Sequence, residues 1–269
     1  MPADALTMTP GTASLTAPGF YGKLPARGDF IGRRLGRPFI DAWDCWLQEA
    51  LLASKTALGP QWLEIYLTSP VWHFALGAGC CGPNALAGLV MPSVDSVGRY
   101  FPLMLGAELP AGCDLASFVT AASAWYEALE DLALSALSEG FDPDRFEQPI
   151  PLPAPRPAGP SPASLETLTP PGRHVALVDG GLAGICREHA DAITTHRTLW
   201  WTSGSERVSP CLLICPGLPP PAAFPALLDG AWPSHGWPTI DASATTDRDK
   251  GAPPASPDTG AALDWDREE

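Results

Sequence analysis

The five histidines are the side chains most suited to acid–base or metal chemistry in this chain: His73, His174, His189, His196 and His235. Only His189 and His196 could share a helix face, and two histidines at that spacing are more typical of a solvated surface than of a metal site. His73 lies in an uncharged apolar segment, which indicates a buried neutral imidazole with one satisfied hydrogen bond rather than a general base. The pattern predicts no catalytic residue and no metal ligand.

Two glycine-containing turns could in principle bind a phosphate group. The segment DGGLAG at 179–184 follows an apolar run, but Asp179 stands where a dinucleotide loop has its first glycine, and a carboxylate repels pyrophosphate. Gly22-Lys23 is followed by Leu24, where a P-loop needs Ser or Thr for Mg²⁺. A G-x-S-x-G nucleophile motif does not occur in the sequence. We therefore expect no nucleotide and no other cofactor.

Charged residues in two glycine-containing segments are better candidates for a functional surface. Arg27-Gly28-Asp29 is typical of a turn in which the carboxylate accepts nearby backbone N–H groups. Asp95 and Arg99 flank Gly98, where an ion pair could lock a loop or present charges to a partner. Alternatively, Asp29 and Arg99 could pair with each other beneath the loops. The residues predicted to shape or supply a partner-binding surface are Arg27, Asp29, Asp95 and Arg99.

The segment that positions these loops is free of charge. No Asp, Glu, Lys or Arg occurs between Glu64 and Asp95, and its prolines and glycines divide it into pieces too short to span a bilayer. Such a segment belongs to a folded core, and its apolar runs predict buried strands at 71–76 and 86–91. A further strand is predicted at 100–105.

Helical periodicity predicts the helices that cover this core. Pro38 opens an amphipathic helix whose tryptophans face the core, a shorter helix follows at 62–67, and Asp114 can cap a long helix that ends at Gly140. Later apolar runs predict strands at 174–179, 199–202 and 211–215, with a helix at 185–195.

These later pieces have too little helical cover for a core of their own, so we expect them to extend the first sheet. The predicted fold class is α/β (α+β): a mixed, largely antiparallel sheet flanked by helices in three α/β/α layers.

Composition narrows the class of partner. The 269 residues carry a formal net charge of −14, which favours solubility and argues against nucleic acid as a ligand. The seven cysteines lack zinc-site and disulfide-framework spacings, so we interpret them as reduced, buried thiols of a cytoplasmic protein. Adjacent Cys80 and Cys81 could form a redox pair, but a vicinal disulfide strains the backbone, and we expect free thiols there.

The chain divides into five predicted parts. A disordered leader without signal-peptide features covers 1–18, and an N-terminal α/β core covers 19–148. A proline-rich stretch at 149–171 is interpreted as an extended connector rather than a docking ligand. The C-terminal part, 172–240, extends the same sheet, and 241–269 is a disordered acidic tail.

Four segments resemble one known family. GFYGKLPARGDFIGRRL, LTSPVWHFAL, GLVMPSVDSVGRYFPL and LWWTSGSERVSPCLL, in this order and separation, are similar to the type VI secretion-associated protein TagF, also called ImpM. The resemblance covers about residues 19–218 and leaves out both tails.

The resemblance implies a cytoplasmic, non-enzymatic regulator of a bacterial contractile secretion machine. Similar proteins repress assembly after translation by binding a forkhead-associated scaffold protein, with a functional link to a threonine kinase and phosphatase pair. Some are fused to a phosphatase domain, but this chain is too short for one and lacks its acidic metal-binding pattern. We therefore expect a protein-binding regulator with no direct membrane insertion. The alternatives are a hydrolase or phosphoester-handling enzyme whose site is assembled from distant residues, and a structural accessory subunit of the machine.

Overall fold

A mixed β-sheet lies between two layers of helices in the computed structural model, which describes residues 14–110, 112–138, 140–154, 175–178 and 198–241. The strands are β1 (Ser14–Thr16), β2 (Gly19–Gly22), β3 (Ile31–Arg33), β4 (Trp72–Leu76), β5 (Ala85–Met91), β6 (Leu103–Leu109), β7 (Ile150–Leu152), β8 (Val175–Val178), β9 (Thr198–Thr202), β10 (Cys211–Cys215) and β11 (Thr239–Asp241). The helices are α1 (Arg37–Leu58), α2 (Trp62–Leu67), α3 (Leu115–Ala121), α4 (Ser123–Ser135) and α5 (Ala226–Asp229).

Nine of the described strands form one sheet in the order β11-β8-β10-β9-β4-β5-β6-β2-β3. Neighbouring strands pair antiparallel except β11 and β8, which are parallel. β9 pairs with β4, so strands from the two ends of the chain meet at the centre of the sheet. The sheet confirms the predicted mixed, largely antiparallel class.

The two faces of the sheet carry separate hydrophobic layers because strand side chains alternate in direction. On β4, Phe74 packs with α1, α2 and α5, whereas Ala75 packs with α3 and α4. All residues of β4 and β5 are buried, as the charge-free segment predicted. The three-layer arrangement is confirmed.

Helix α1 places its tryptophans in the core, as predicted from its periodicity. Trp43 is stacked parallel to Trp200 of β9, with ring centroids 6.0 Å apart. The indole N–H of Trp46 donates to the carbonyl of Pro219 at 2.7 Å. These contacts tie α1 to the C-terminal strands.

The structure differs from the sequence prediction in the second helical layer. The single helix predicted from Asp114 to Gly140 is two helices, α3 and α4, separated at Ala122. Ala122 is itself buried, and both helices pack on the same face of the sheet. Asp114 does cap α3, because its carboxylate accepts the backbone N–H of Ser117 at 3.3 Å.

Smaller differences affect the strands. β6 begins at Leu103 rather than at residue 100, because Pro102 has no N–H to donate and Tyr100 instead bridges to Val94. β1 and β7 pair with each other, so residues 14–16 of the predicted leader and 150–152 of the predicted connector are strand residues. The predicted helix at 185–195 lies outside the described residues.

Cys45, Cys81, Cys113, Cys211 and Cys215 are free thiols, but the described cysteines are not all buried as expected. Cys45 is exposed, Cys80 and Cys113 are half-buried, and Cys81, Cys211 and Cys215 are buried. Within the described part of the chain, no helix is both long enough and apolar enough to cross a membrane.

Candidate partner-binding surface

A buried carboxylate organises the loop that follows β5. Asp95 Oδ2 accepts hydrogen bonds from Lys23 Nζ at 2.6 Å and from Arg99 Nε at 2.7 Å. Its Oδ1 accepts the backbone N–H groups of Val97 at 3.1 Å and of Arg99 at 2.8 Å. Both carboxylate oxygens are therefore satisfied, and the loop is wrapped around them.

The same contacts determine the charge state of this carboxylate. Burial alone would raise the pKa of Asp95, but hydrogen bonds from Lys23, from the Arg99 side chain and from two backbone amides outweigh it. The pKa of Asp95 therefore lies well below its usual range. The group is ionised whenever the protein is folded near neutral pH.

Lys23 is the residue of this network that the sequence analysis does not predict. It follows β2, is buried, and its ammonium lies 5.0 Å from the centre of the Phe30 ring. The signal was the position itself: a lysine between apolar Phe20 and Leu24 needs a charged partner when the strand is buried. The partner, Asp95, is 72 residues away in the sequence.

The backbone on both sides of Lys23 is also held closely. Gly22 has a φ of 141°, and a Cβ there would lie 2.1 Å from the carbonyl oxygen of Pro102. Only glycine allows this approach. The Ser93 hydroxyl donates to the Lys23 carbonyl at 2.7 Å.

Two further contacts join the segment after β2 to the segment after β5. The backbone N–H of Ser96 donates to the carbonyl of Arg27 at 2.9 Å. The guanidinium of Arg99 donates to the carbonyl of Gly28. The two loops therefore form one connected unit above the buried Asp95.

Helix α2 anchors this unit from below. The Tyr66 hydroxyl donates to the Ser93 carbonyl at 2.9 Å and accepts the Ser93 backbone N–H at 3.0 Å. Burial raises the pKa of Tyr66, so the hydroxyl keeps its proton. A continuous chain of hydrogen bonds thus runs from α2 through Ser93 to both loops.

The exposed side chains of the two loops define what we call the loop surface: Arg27, Asp29, Phe30, Val97 and Arg99. Val97 is 68% exposed and Phe30 47%, so both apolar side chains are open to contact by a partner. The surface combines two apolar side chains with two arginines, a composition typical of protein–protein contact sites.

The four residues predicted from the sequence fall into two groups. Arg27, Asp29 and Arg99 belong to the loop surface, whereas Asp95 lies beneath it. Asp29 does pair with Arg99, at 3.6 Å, but its side chain is 99% exposed, so this pair is on top of the loops rather than under them. The residue that Arg99 contacts underneath is Asp95.

Phe30 is held in place although it is half exposed. Its ring stacks on Tyr21 with centroids 5.6 Å apart and an interplanar angle of 19°, and it meets Phe101 edge-on at 4.8 Å. The Tyr21 hydroxyl in turn donates to Asp44 of α1 at 2.8 Å. The loop surface therefore presents an aromatic side chain with little freedom to move.

The described residues offer little for metal chemistry. No group of three or more His, Cys, Asp or Glu side chains in the described ranges is arranged to hold a metal ion. By fold, the described part of the chain is a three-layer α/β/α sheet protein whose Lys23–Asp95–Arg99 network supports two exposed loops.

Comparison with known proteins places this chain in a family. Residues 19–151 match the family model of the TagF N-terminal domain, described as type VI secretion system-associated. The crystal structure of PA0076 from Pseudomonas aeruginosa PAO1 is similar, with a TM-score of 0.64 and 36% sequence identity over 79% of this chain and 94% of that chain. A comparison with curated proteins gives no significant match.

The chain belongs to the TagF family. Its role is accordingly that of an accessory or regulatory protein of a type VI secretion system. The family is non-catalytic in general.

Proposed function

We propose that this protein is a cytoplasmic, non-enzymatic repressor of a type VI secretion system. It binds a forkhead-associated scaffold protein through the loop surface and thereby blocks assembly of the machine. The observation that carries the proposal is the Lys23–Asp95–Arg99 network, which fixes two loops as one exposed unit. The family resemblance supplies the identity of the scaffold and its link to a threonine kinase and phosphatase pair.

A preorganised surface suits a repressor that must bind quickly and specifically. Ordering a flexible loop on binding costs conformational free energy, and here the hydrogen bonds to Asp95 have ordered the loop beforehand. Phe30 and Val97 supply apolar area, while Arg27 and Arg99 can donate to carboxylates or carbonyls of the partner.

The proposal can be tested in cells by counting assembled machines. The double variant Arg27→Ala/Val97→Ala removes two exposed side chains, and surface changes of this kind alter stability by about 0.5 kcal/mol or less. We expect excess wild-type protein to lower the number of assembled machines and the double variant to leave it unchanged. Leu52→Ala on α1 also removes an exposed apolar side chain and is the matched control, which should repress like the wild type.

Repression by the double variant at wild-type strength would contradict the assignment of the loop surface. Failure of the wild type to lower assembly, together with unchanged secretion after deletion of the gene, would contradict the repressor function itself. A protein that copurifies with the assembled machine in stoichiometric amounts would instead be a structural accessory subunit.

One observation favours the enzymatic alternative. His73 Nε2 lies 2.8 Å from Glu130 Oε2 beside a pocket, and a histidine–carboxylate pair is a component of many hydrolytic sites. A hydrolase of the nucleophilic type also needs a hydroxyl or thiol hydrogen-bonded to the imidazole. Among the described residues the structure gives His73 no such bond.

The hydrolase alternative is therefore less well supported than the repressor function, and it can be tested directly. A hydrolase should release p-nitrophenol from p-nitrophenyl phosphate or acetate faster than buffer, and His73→Gln should abolish that release. We expect neither substrate to be turned over.

A further inference from the structure

A pocket of about 330 Å³ opens on the face of the sheet opposite α1, between the strands β4, β9 and β10 and the helices α3 and α4. Its volume falls in the range of about 300–1,000 Å³ that small-molecule sites span. The residues used below are His73, Tyr126, Glu127, Glu130, Trp201 and Ser203. None of them belongs to the loop surface, so this site and the proposed function can fail independently.

His73 on the pocket wall has unsatisfied hydrogen-bonding capacity. Its residue surface is 6% exposed, and neither ring nitrogen has a hydrogen-bond partner among the described residues. The ring Nε2 lies 2.8 Å from Glu130 Oε2, which is an ion-pair distance. A buried polar group without a partner costs free energy, and such groups in pockets often mark ligand sites.

The charged residues of the pocket are of one sign. Glu127 is exposed and Glu130 half-buried, while no lysine or arginine occurs among the described residues that line the pocket. The close contact with His73 lowers the pKa of Glu130, although burial works in the opposite direction. The described lining residues therefore give the pocket negative charge and include no lysine or arginine.

Aromatic rings form another part of the wall. Trp201 stacks on His73 with ring centroids 5.5 Å apart, and Tyr126 meets Trp201 edge-on at 4.7 Å. Aromatic rings attract cations through their quadrupoles, most strongly when the cation is partly removed from water. Carboxylates next to aromatic rings are typical of sites for organic cations rather than for anions or fully apolar ligands.

We propose that this pocket binds a guanidinium group. A guanidinium presents N–H donors in a planar fork and accepts nothing, which matches a wall of two carboxylates and the Ser203 hydroxyl. Glu130 is its principal charge partner and Glu127 the second, with Trp201 and Tyr126 enclosing the apolar stem. The bound guanidinium group belongs either to an arginine side chain of a protein or to a free small guanidinium compound.

Isothermal titration calorimetry of the full chain with N-acetyl-arginine methylamide tests this proposal. The citrulline analogue, N-acetyl-citrulline methylamide, has nearly the same shape without the charge and is expected to show no binding. Agmatine separates the sources: tighter binding of the blocked arginine indicates a protein side chain, whereas tighter binding of agmatine indicates a free compound. Either of these results supports the guanidinium site.

Variants then locate the site. Glu130→Gln removes the principal charge and should weaken binding about tenfold, the usual consequence of losing a charge-assisted hydrogen bond. Asp131→Asn changes the charge equally at the next, exposed position of α4 and should leave affinity unchanged. Thermal unfolding of both variants confirms that the fold is retained.

Three results would overturn the proposal. One is the absence of binding heat when N-acetyl-arginine methylamide is titrated to about 1 mM, a concentration at which even weak binding is detected. Another is equal binding of the arginine and citrulline probes. The third is equal affinity of the Glu130→Gln and Asp131→Asn variants.

Discussion

Removal of the Tyr66 hydroxyl group is the cleanest test of the network beneath the loop surface. It exchanges two hydrogen bonds with the backbone of Ser93, and Ser93 in turn donates through its own hydroxyl to Lys23. In Tyr66→Phe the ring remains and keeps its stacking on Trp62, where the ring centroids are 4.9 Å apart. The change therefore removes polar contacts without leaving a large cavity.

The expected cost follows from what each Ser93 group retains. The Ser93 carbonyl keeps a second donor, the backbone N–H of Phe101 at 3.2 Å. The Ser93 N–H loses its hydrogen bond to the hydroxyl and becomes a buried donor without a partner. The free energy of unfolding should therefore fall by about 1–3 kcal/mol. The melting temperature should fall by about 2–4 °C for each kcal/mol in a chain of this size.

Urea denaturation followed by circular dichroism measures this free energy, with Tyr100→Phe as the matched control. The Tyr100 ring packs edge-on against Tyr66 at 6.1 Å, and the described structure shows no hydrogen bond from its hydroxyl. Tyr100→Phe should change the free energy of unfolding by about 0.5 kcal/mol or less. Equal effects of the two substitutions, or a stabilised Tyr66→Phe variant, would refute the proposed anchoring role of Tyr66.

Three further expectations concern thiols, acid stability and strand packing. Native-state alkylation at pH 8, mapped by mass spectrometry, should label exposed Cys45 quickly and Cys81 slowly, because burial raises the pKa of Cys81 to about 12; equal labelling rates would be inconsistent with this burial. The pKa of Asp95 is lowered in the folded state, so its stabilising effect is present above about pH 4 and is lost as the pH falls further. In denaturant titrations the gap in unfolding free energy between wild type and Asp95→Asn should therefore narrow below that pH, and a constant gap would show that Asp95 is not linked to acid unfolding. Gly88→Ala would place a Cβ 2.3 Å from the Leu105 carbonyl oxygen, so the free energy of unfolding in the same titrations should fall by about 1–3 kcal/mol or more. Wild-type stability of this variant would indicate that β5 and β6 are further apart than the structure shows.

The part of the fold that the sequence predicts well depends on local patterns. The uncharged segment between Glu64 and Asp95 predicts β4 and β5 because its apolar side chains must be buried in a core. The periodic tryptophans predict α1 for the same reason, since one helix face must be buried. The sheet class follows from strands joined by short turns.

The break between α3 and α4 was not predictable in this way. Alanine at position 122 is a good helix former, and the apolar spacing continues on both sides of it. The interruption is therefore a tertiary effect at a buried position on the sheet, which intrinsic propensity does not report.

The network beneath the loop surface was only half predictable. Asp95 and Arg99 are four positions apart in one loop, so their ion pair is a local feature of the sequence. The pairing of Lys23 with Asp95 depends on the position of β2 beside β6, and His73 meets Glu130 only because α4 packs across β4 and β5. Such partners become visible when the strand order is known.

Binding of the forkhead-associated scaffold protein to the purified full chain, measured by calorimetry, tests the central claim most directly. We expect the wild type and the Leu52→Ala control to bind with a dissociation constant of about 1 μM or tighter. The Arg27→Ala/Val97→Ala variant should bind at least about tenfold more weakly, as expected when central contact residues are truncated. No binding by the wild type, or equal affinity of the double variant, would contradict the assignment of the loop surface as the docking site.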